Sequence, residues 1–199
     1  MKEITCPQCG YKLPLHFKYT KLIKCPSCGS TIFLEDEVVK VIGKESVIAT
    51  PPSLIKLYKR FKIKDKEYLP VGVIYYEYDR FSWSEWWILN KRGVGFWLSI
   101  DDGDYILEEE TSYKLSKIWF KDFALGMVVD GWRVTELGEG VCIGFEGELP
   151  EKIIIGQSHY YVHLSKPNGV FATAEFSGAK RWFFLGKWID PFEIEVLDG

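Results

Sequence analysis

Two short cysteine motifs near the N-terminus hold the residues of this sequence best suited to chemistry. Cys6 and Cys9 are separated by two residues in Cys-Pro-Gln-Cys-Gly, and Cys25 and Cys28 repeat that spacing in Cys-Pro-Ser-Cys-Gly after fifteen intervening residues. The spacing is typical of zinc sites in which four thiolates form a closed tetrahedron. We therefore expect a structural Zn²⁺ bound by these four cysteines, contributing on the order of 10 kcal/mol to folding of the segment.

A redox dithiol and an iron site are the alternatives for these cysteines. A thioredoxin-like dithiol needs one Cys-x-x-Cys pair after a strand of a βαβ unit, and no such unit is predicted here. Iron also accepts thiolate ligands, so that alternative stays open. His16 lies between the motifs, and since four thiolates already satisfy the ion, we interpret it as an exposed loop residue.

The remaining histidines and carboxylates form no recognisable catalytic pattern. His159 and His163 fall on one face of a predicted strand, about 13 Å apart, too far to share a metal ion unless another strand contributes. Glu146 and Glu148 could form an acid–base pair, but we interpret both as solvated turn residues. Cys142 lies outside both motifs with acidic neighbours, which raise a thiol pKa. The sequence assigns no role to His159, His163 or Cys142.

Two other clusters are given structural interpretations. The segment 101–104, Asp-Asp-Gly-Asp, lacks the terminal glutamate and full spacing of a calcium loop, so it predicts a hairpin turn. Four tryptophans could stack on a sugar, a peptide or a base, but core packing is the preferred interpretation. They are Trp83, Trp86, Trp87 and Trp97.

The elements that must position these residues are predicted to be mainly β. The chain has 199 residues, and its 8 Trp, 11 Tyr and 13 Phe favour pleated surfaces. Short strands separated by turn residues predict an all-β barrel or sandwich rather than βαβ units. The predicted strands are 68–78, 85–90, 95–100, 105–109, 113–120, 132–136, 141–145, 152–155, 160–164, 170–176, 181–185 and 192–196.

The sequence divides into a small head and a larger body. The segment 53–61 fits either a short helix or a strand, and a weak internal similarity in the body suggests two related β-modules. The predicted divisions are a zinc ribbon at 1–34, a linker at 35–52 and an all-β domain at 53–199, with sub-modules at 53–125 and 126–199.

Charge and hydropathy restrict the partners and the location. Residues 1–34 hold five lysines and one glutamate, a net charge of +4; since the chain carries −3, the remainder carries −7. The acidic body disfavours a nucleic-acid partner. No stretch approaches the roughly 20 apolar residues of a membrane helix, and the N-terminus does not resemble a signal peptide. We expect a cytoplasmic protein without membrane insertion, in keeping with reduced cysteines.

From Pro51 to the C-terminus the sequence resembles a bacterial domain family of unknown function, number 4178, often preceded by a zinc-ribbon head. Two positions depart from the family pattern: Glu151 stands where an aromatic residue is common, and His163 stands where an acidic residue is frequent. Any role of that acidic residue in the family is therefore not carried over to this chain. The resembling segments are 53–57 (Ser-Leu-Ile-Lys-Leu), 71–76, 85–89 (Glu-Trp-Trp-Ile-Leu), 96–98 (Phe-Trp-Leu) and 147–150 (Gly-Glu-Leu-Pro) with Gly156.

The resemblance implies an accessory or scaffold module in bacterial envelope or stress contexts, sometimes near membrane proteins, with no settled activity. We expect a non-enzymatic interaction protein that binds a protein partner, including a membrane-associated one. A nucleic-acid-binding module acting through the ribbon lysines Lys18 and Lys21 is the first alternative. An enzyme whose site is assembled from several strands is the second, and a concave pocket converging on His159, His163 or Glu148 would favour it.

Overall fold

The computed structural model describes residues 2–35, 38–44, 52–79, 81–116 and 118–197. Most of these residues lie in sixteen strands, which confirms the prediction of a mainly β protein. The strands are β1 (Lys2–Thr5), β2 (Lys12–Leu15), β3 (Leu22–Lys24), β4 (Ser30–Glu35), β5 (Val38–Lys44), β6 (Phe61–Ile63), β7 (Lys66–Tyr78), β8 (Phe81–Asn90), β9 (Gly95–Asp101), β10 (Asp104–Glu110), β11 (Val128–Val129), β12 (Trp132–Leu149), β13 (Ser158–Ser165), β14 (Phe171–Ser177), β15 (Lys180–Ile189) and β16 (Ile194–Val196).

Eight of the strands close into an antiparallel barrel. Around the barrel the order is β7-β8-β9-β10-β15-β14-β13-β12, and pairing of β12 with β7 completes the ring. Of the two architectures that the sequence predicts, barrel and sandwich, the protein adopts the barrel. Full closure removes the unpaired edges that an open sheet would expose.

The barrel consists of two four-stranded meanders, one from each half of the body. β7 to β10 form the first and β12 to β15 the second, and the two are joined where β10 pairs with β15 and β7 pairs with β12. Each half of the body therefore supplies half of the wall, and the barrel closes only when both are present.

Two apolar clusters pack against the outer face of the barrel. On the first meander, Trp86 and Ile88 of β8 pack with Ile55 and Phe61, which precede the barrel strands. On the second, buried side chains of β13 and β14 pack beneath the segment between β10 and β12, which contributes Phe123. Because side chains alternate along a strand, the opposite set of residues on each strand faces the interior.

Several boundaries differ from those predicted. The described residues of 113–120 and the segment 152–155 are not strands, and 132–136 and 141–145 belong to the single strand β12. The described part of 53–61 is irregular up to β6 rather than helix or strand. Within the predicted linker 35–52, residues 38–44 form β5, which pairs with β4, while residues 36–37 and 45–51 lie outside the described residues.

Helical structure in the described ranges is limited to two short 3-10 turns, Phe120–Asp122 and Pro191–Glu193. Neither these turns nor any other described segment forms a helix long and apolar enough to cross a bilayer.

Candidate functional site

The four cysteines of the two N-terminal motifs converge on one point. Cys6 and Cys9 lie between β1 and β2, and Cys25 and Cys28 lie between β3 and β4. The Sγ atoms of Cys6 and Cys28 are 3.8 Å apart, and those of Cys9 and Cys25 are 3.7 Å apart. Sulfurs bound about 2.3 Å from one tetrahedral ion are about 3.8 Å apart. The cluster therefore could bind one metal ion.

Each cysteine pair sits in the same type of turn. The N–H of Gly10 donates to the carbonyl of Cys6, and that of Gly29 donates to the carbonyl of Cys25, both at 2.9 Å. The two glycines have φ of +76° and +70°, a conformation that is costly for residues with a Cβ atom. The glycine after each motif thus fixes the turn that points both thiols the same way.

The local environment shifts the pKa values of two of the four thiols in opposite directions. Hydrogen bonds with Ser30, mainly with its side chain and secondly with its backbone, lower the pKa of the Cys28 thiol to about 6. Burial raises the pKa of Cys25 to about 12. Four sulfurs fill a tetrahedral ion completely, so no position is left for water or substrate.

The ribbon, residues 2–35, is attached to the barrel through Glu148 on β12. This side chain is fully buried, and its carboxylate accepts hydrogen bonds from the backbone N–H groups of His16 and Phe17 at 3.0 and 3.1 Å. The Thr20 hydroxyl donates at 2.9 Å, and Nδ1 of His16 lies 2.6 Å from Oε1. Both sequence interpretations were wrong here, since Glu148 is buried in β12 rather than solvated in a turn, and His16 is half-buried in its loop rather than exposed.

Pairing of β3 with β12 continues this attachment. Leu22 and Ile23 pair with Leu149 and Glu148, and Leu22 and Leu149 are both fully buried. Gly72 of β7 approaches the same point so closely that a Cβ atom there would collide with the backbone carbonyl of Glu148. The ribbon therefore contacts the barrel at the point where β7 and β12 pair to close it.

The two ribbon lysines of the nucleic-acid alternative, Lys18 and Lys21, lie at the surface. Lys18, Tyr19 and Lys21 are exposed, and Nζ of Lys18 lies 5.2 Å from the centre of the Tyr19 ring. A protein partner and the nucleic-acid alternative both stay predictions.

Inside the barrel lies a cavity of about 180 Å³ that we call the acidic cavity. Its walls come from seven of the eight barrel strands, β7 being the exception. The lining residues are Trp83, Glu85, Ser99, Asp101, Asp102, Asp104, Ile106, Glu108, Glu136, Tyr161, His163, Thr173, Glu175 and Trp188. No local pattern in the chain indicates this cavity, because its lining residues are scattered over more than 100 positions.

Buried carboxyl groups form the deep part of the acidic cavity. Burial raises the pKa of Glu85 and of Glu108 to about 7, and it raises that of Glu175 well above the ordinary value. Nε1 of Trp83 donates to Glu85 at 3.1 Å, and the hydroxyl of Ser99 donates to Glu108 at 3.2 Å. Neutral donors of this kind orient the carboxyl groups without neutralising their charge.

The mouth of the cavity is formed by side chains near the strand ends. Glu136 accepts a hydrogen bond from the hydroxyl of Tyr161 at 2.9 Å, and its Oε2 lies 3.0 Å from Nδ1 of His163. The contact with His163 lowers the pKa of Glu136. Asp101 accepts a hydrogen bond from the hydroxyl of Tyr78 at 3.0 Å, and residues 102 and 103 make the predicted hairpin turn.

A second cavity of about 370 Å³ occupies the other end of the barrel. It shares Glu85 and Glu175 with the acidic cavity, and it also contacts His159, Glu151 and Cys142. His159 and His163 lie on one face of β13, as predicted, and this face points into the barrel. The two histidines line different cavities. Cys142 is buried in the wall.

The tryptophan cluster is mostly core. Trp83, Trp86 and Trp97 are buried, and Trp87 is half-buried. The preferred interpretation of core packing is confirmed for the three buried rings, although Trp83 also lines the acidic cavity.

Glu108→Gln is expected to stabilise the protein at alkaline pH only. With its pKa raised to about 7, folded Glu108 keeps a proton that the unfolded chain loses near pH 4.5. Its contribution to the free energy of unfolding therefore becomes unfavourable as the pH rises from about 4.5 to about 7. The substitution should raise the free energy of unfolding at pH 8 by up to about 3 kcal/mol, and change it little at pH 4.5. Urea denaturation at both pH values measures this. Glu109→Gln, at an exposed position of the same strand, is the control, and an equal effect of Glu108→Gln at both pH values would contradict the explanation.

These features define a class of protein: a closed antiparallel β-barrel with an acidic interior and a four-cysteine ribbon docked on one of its strands. One comparison with known protein families covers the barrel part of the chain. Residues 59–191 match the family described as Domain of unknown function (DUF4178), and the chain belongs to this family. No curated protein and no solved structure matches the chain.

The matched region has a clear relation to the fold. It begins just before β6, ends just after β15, and so contains the whole barrel. The four-cysteine ribbon lies before it. The family's description assigns no activity, so any function has to be argued from the geometry of this chain.

Proposed function

We propose that this protein binds a small organic cation in its acidic cavity, and that its ribbon carries a structural Zn²⁺ that holds a loop against the barrel. The observation that carries this proposal is the charge of the cavity wall. Seven carboxyl groups line it, and none of the described lining residues is a lysine or an arginine. The seven are Glu85, Asp101, Asp102, Asp104, Glu108, Glu136 and Glu175.

Such a wall favours a cationic ligand for electrostatic reasons. Low-dielectric walls strengthen the attraction between a carboxylate and a cation compared with water. Glu108 is only 3% exposed and has neutral hydrogen-bond donors around it, so a ligand cation would be its strongest partner. Because burial holds a proton on Glu108 near neutral pH, binding of a cation should release that proton.

Aromatic rings supply the second element of the site. Trp83 lies buried in the wall, Tyr161 is half-buried, and Trp188 is 50% exposed. Ring faces attract cations, and ammonium ligands are bound in this way in aromatic cages. The cavity volume of about 180 Å³ is below the 300–1,000 Å³ of drug-sized pockets, which favours a small amine over a larger metabolite.

The structural role of the ribbon metal follows from its closed ligand set. The tetrahedral sulfur spacing fits Zn²⁺. We propose that the ion holds the loop that carries His16, Phe17 and Thr20 in place against the barrel.

Titration of the full-length protein with small amines tests the ligand class. Butylammonium, tetramethylammonium and 1,4-diaminobutane are expected to bind, measured by calorimetry and by quenching of tryptophan fluorescence, while n-butanol, of similar size but neutral, should not. Binding should weaken as pH falls below 7, because protons then compete for Glu108.

Two single substitutions test whether the amine binds in the acidic cavity. Glu108→Gln should weaken amine binding about tenfold, equivalent to about 1.4 kcal/mol. Glu139→Gln removes an exposed carboxylate from β12 outside the cavity and should leave the affinity unchanged. Equal binding of butylammonium and n-butanol, or equal affinities in the two variants, would refute the proposal.

A further inference from the structure

The side chain of His159 is buried inside the barrel with one nitrogen atom unsatisfied. The residue is 7% exposed, and among the described residues its Nε2 has no hydrogen-bond partner. This atom faces two carboxylates: Oε2 of Glu175 at 3.6 Å and Oε1 of Glu85 at 3.9 Å. Both distances exceed those of a hydrogen bond. A buried polar atom without a partner is unfavourable and calls for an explanation.

The spacing of the three side chains fits a shared metal ion. One ligand atom from each of Glu85, His159 and Glu175 lies within 4.8 Å of the other two. Nitrogen and oxygen ligands about 2.1 Å from one ion are separated by about 3 to 3.5 Å. Side-chain shifts of less than an ångström would therefore bring the three atoms into contact with a common ion.

Charge gives a second reason for a cation at this point. In the described part of the chain, neither Glu85 nor Glu175 forms an ion pair with a lysine or an arginine. Lys152 and Lys180 line the second cavity but are exposed. In the ionised state these two buried groups would have no cationic partner, which is costly, and one divalent ion would balance their charge.

We propose that Glu85, His159 and Glu175 form a second metal site, which binds a first-row divalent transition ion in the middle of the barrel. One imidazole and two carboxylates suit Zn²⁺, Mn²⁺ or Fe²⁺, whereas Ca²⁺ and Mg²⁺ prefer oxygen ligands only. The indole N–H of Trp83 donates to Glu85 and orients it, as partners of ligating groups do in metal sites.

This site differs from the ribbon site in ligand type and in access. The ribbon offers four sulfurs and is closed, while the barrel site offers nitrogen and oxygen ligands from three strands, β8, β13 and β14. Three protein ligands leave coordination positions open. Because Glu85 and Glu175 border both cavities, an ion there would be reachable from both. The inference does not rest on amine binding in the acidic cavity and survives if that proposal fails.

Metal titration of the full-length protein with its ribbon loaded with Zn²⁺ tests the inference. After dialysis to one Zn²⁺ per chain, Co²⁺ is added as the probe. We expect one further equivalent to bind with visible d–d bands typical of nitrogen and oxygen ligands and without the thiolate charge-transfer bands of a cysteine site. Mass-spectrometric metal analysis should then give two ions per chain.

Single substitutions decide where that ion binds. Glu175→Gln and His159→Gln should weaken the second equivalent by roughly a hundredfold or more, and Glu85→Gln provides a third variant if either of these does not fold by circular dichroism. Glu151→Gln changes a half-buried carboxyl group of the second cavity and should keep the second equivalent. The inference is overturned if wild type takes up no second ion below about 1 mM Co²⁺, or if Glu151→Gln weakens binding as much as Glu175→Gln.

Discussion

Cys25→Ser is expected to remove the ribbon metal and unfold the ribbon, the largest single effect in this protein. A serine hydroxyl does not ionise at neutral pH and is a poor replacement for a thiolate. Metal binding in comparable sites contributes on the order of 10 kcal/mol of folding free energy, so a segment of this size should not remain folded without it. Metal content should fall by one ion per chain, and the amides of β3 and β4 should lose protection in hydrogen exchange.

Cys142→Ala is the matched control for this experiment. It removes the fifth cysteine, which lies on β12 outside the two cysteine motifs, and should leave both the ribbon metal and the amide protection unchanged. Retention of one tightly bound ion in Cys25→Ser with full protection of β3 would show that the cluster is not a four-cysteine metal site.

Glu148→Ala is expected to separate the ribbon from the barrel while leaving the four cysteines intact. The substitution leaves the N–H groups of His16 and Phe17 and the hydroxyl of Thr20 without their buried acceptor. Loss of one partner from a buried charged network typically costs about 3–5 kcal/mol. Urea denaturation should show this decrease in the free energy of unfolding. Glu148→Gln keeps the side-chain volume but not the charge, so its free energy of unfolding should lie between those of wild type and Glu148→Ala.

Glu139→Ala controls for removal of a carboxylate from the same strand, since Glu139 is exposed. Metal content separates the two ribbon predictions: Glu148→Ala should keep the ribbon ion, whereas Cys25→Ser should lose it. If Glu148→Ala and Glu139→Ala unfold at the same urea concentration, the buried carboxylate does not anchor the ribbon.

Local signals in the sequence predicted much of this protein. The cysteine spacing located the ribbon because metal-binding turns are short and depend on neighbouring residues. Alternation of apolar and polar residues located most barrel strands, and the aromatic content favoured a β fold.

The glycines of β12 show why a boundary was wrong. Gly138 and Gly140 lie between the predicted strands 132–136 and 141–145, but both belong to β12, where a Cβ atom would collide with the rings of Tyr161 and Trp83. These glycines make room for aromatic side chains of neighbouring strands. Such a requirement depends on pairing between distant segments, which one sequence does not reveal.

The barrel interior was missed for a related reason. A polar face on a predicted strand normally indicates solvent, so Glu85, Glu108 and Glu175 had the pattern of surface residues. Closure of the barrel turns these faces inward, while Trp86 and Ile88 on the outer face are covered by other segments. Which face of a strand is enclosed is decided by the closure of the sheet, and alternation alone is the same in both cases.

The contact between His16 and Glu148 joins residues 132 positions apart in the chain, and this has a consequence for folding order. During synthesis the ribbon leaves the ribosome long before the strand that receives it, so it can bind metal early but cannot dock until β12 has been made. Closure of the barrel likewise waits for β12 and β15 to pair with β7 and β10. Contacts this distant in sequence favour slow folding, with the early ribbon exposing Leu22 and Phe17 until its partner strand arrives.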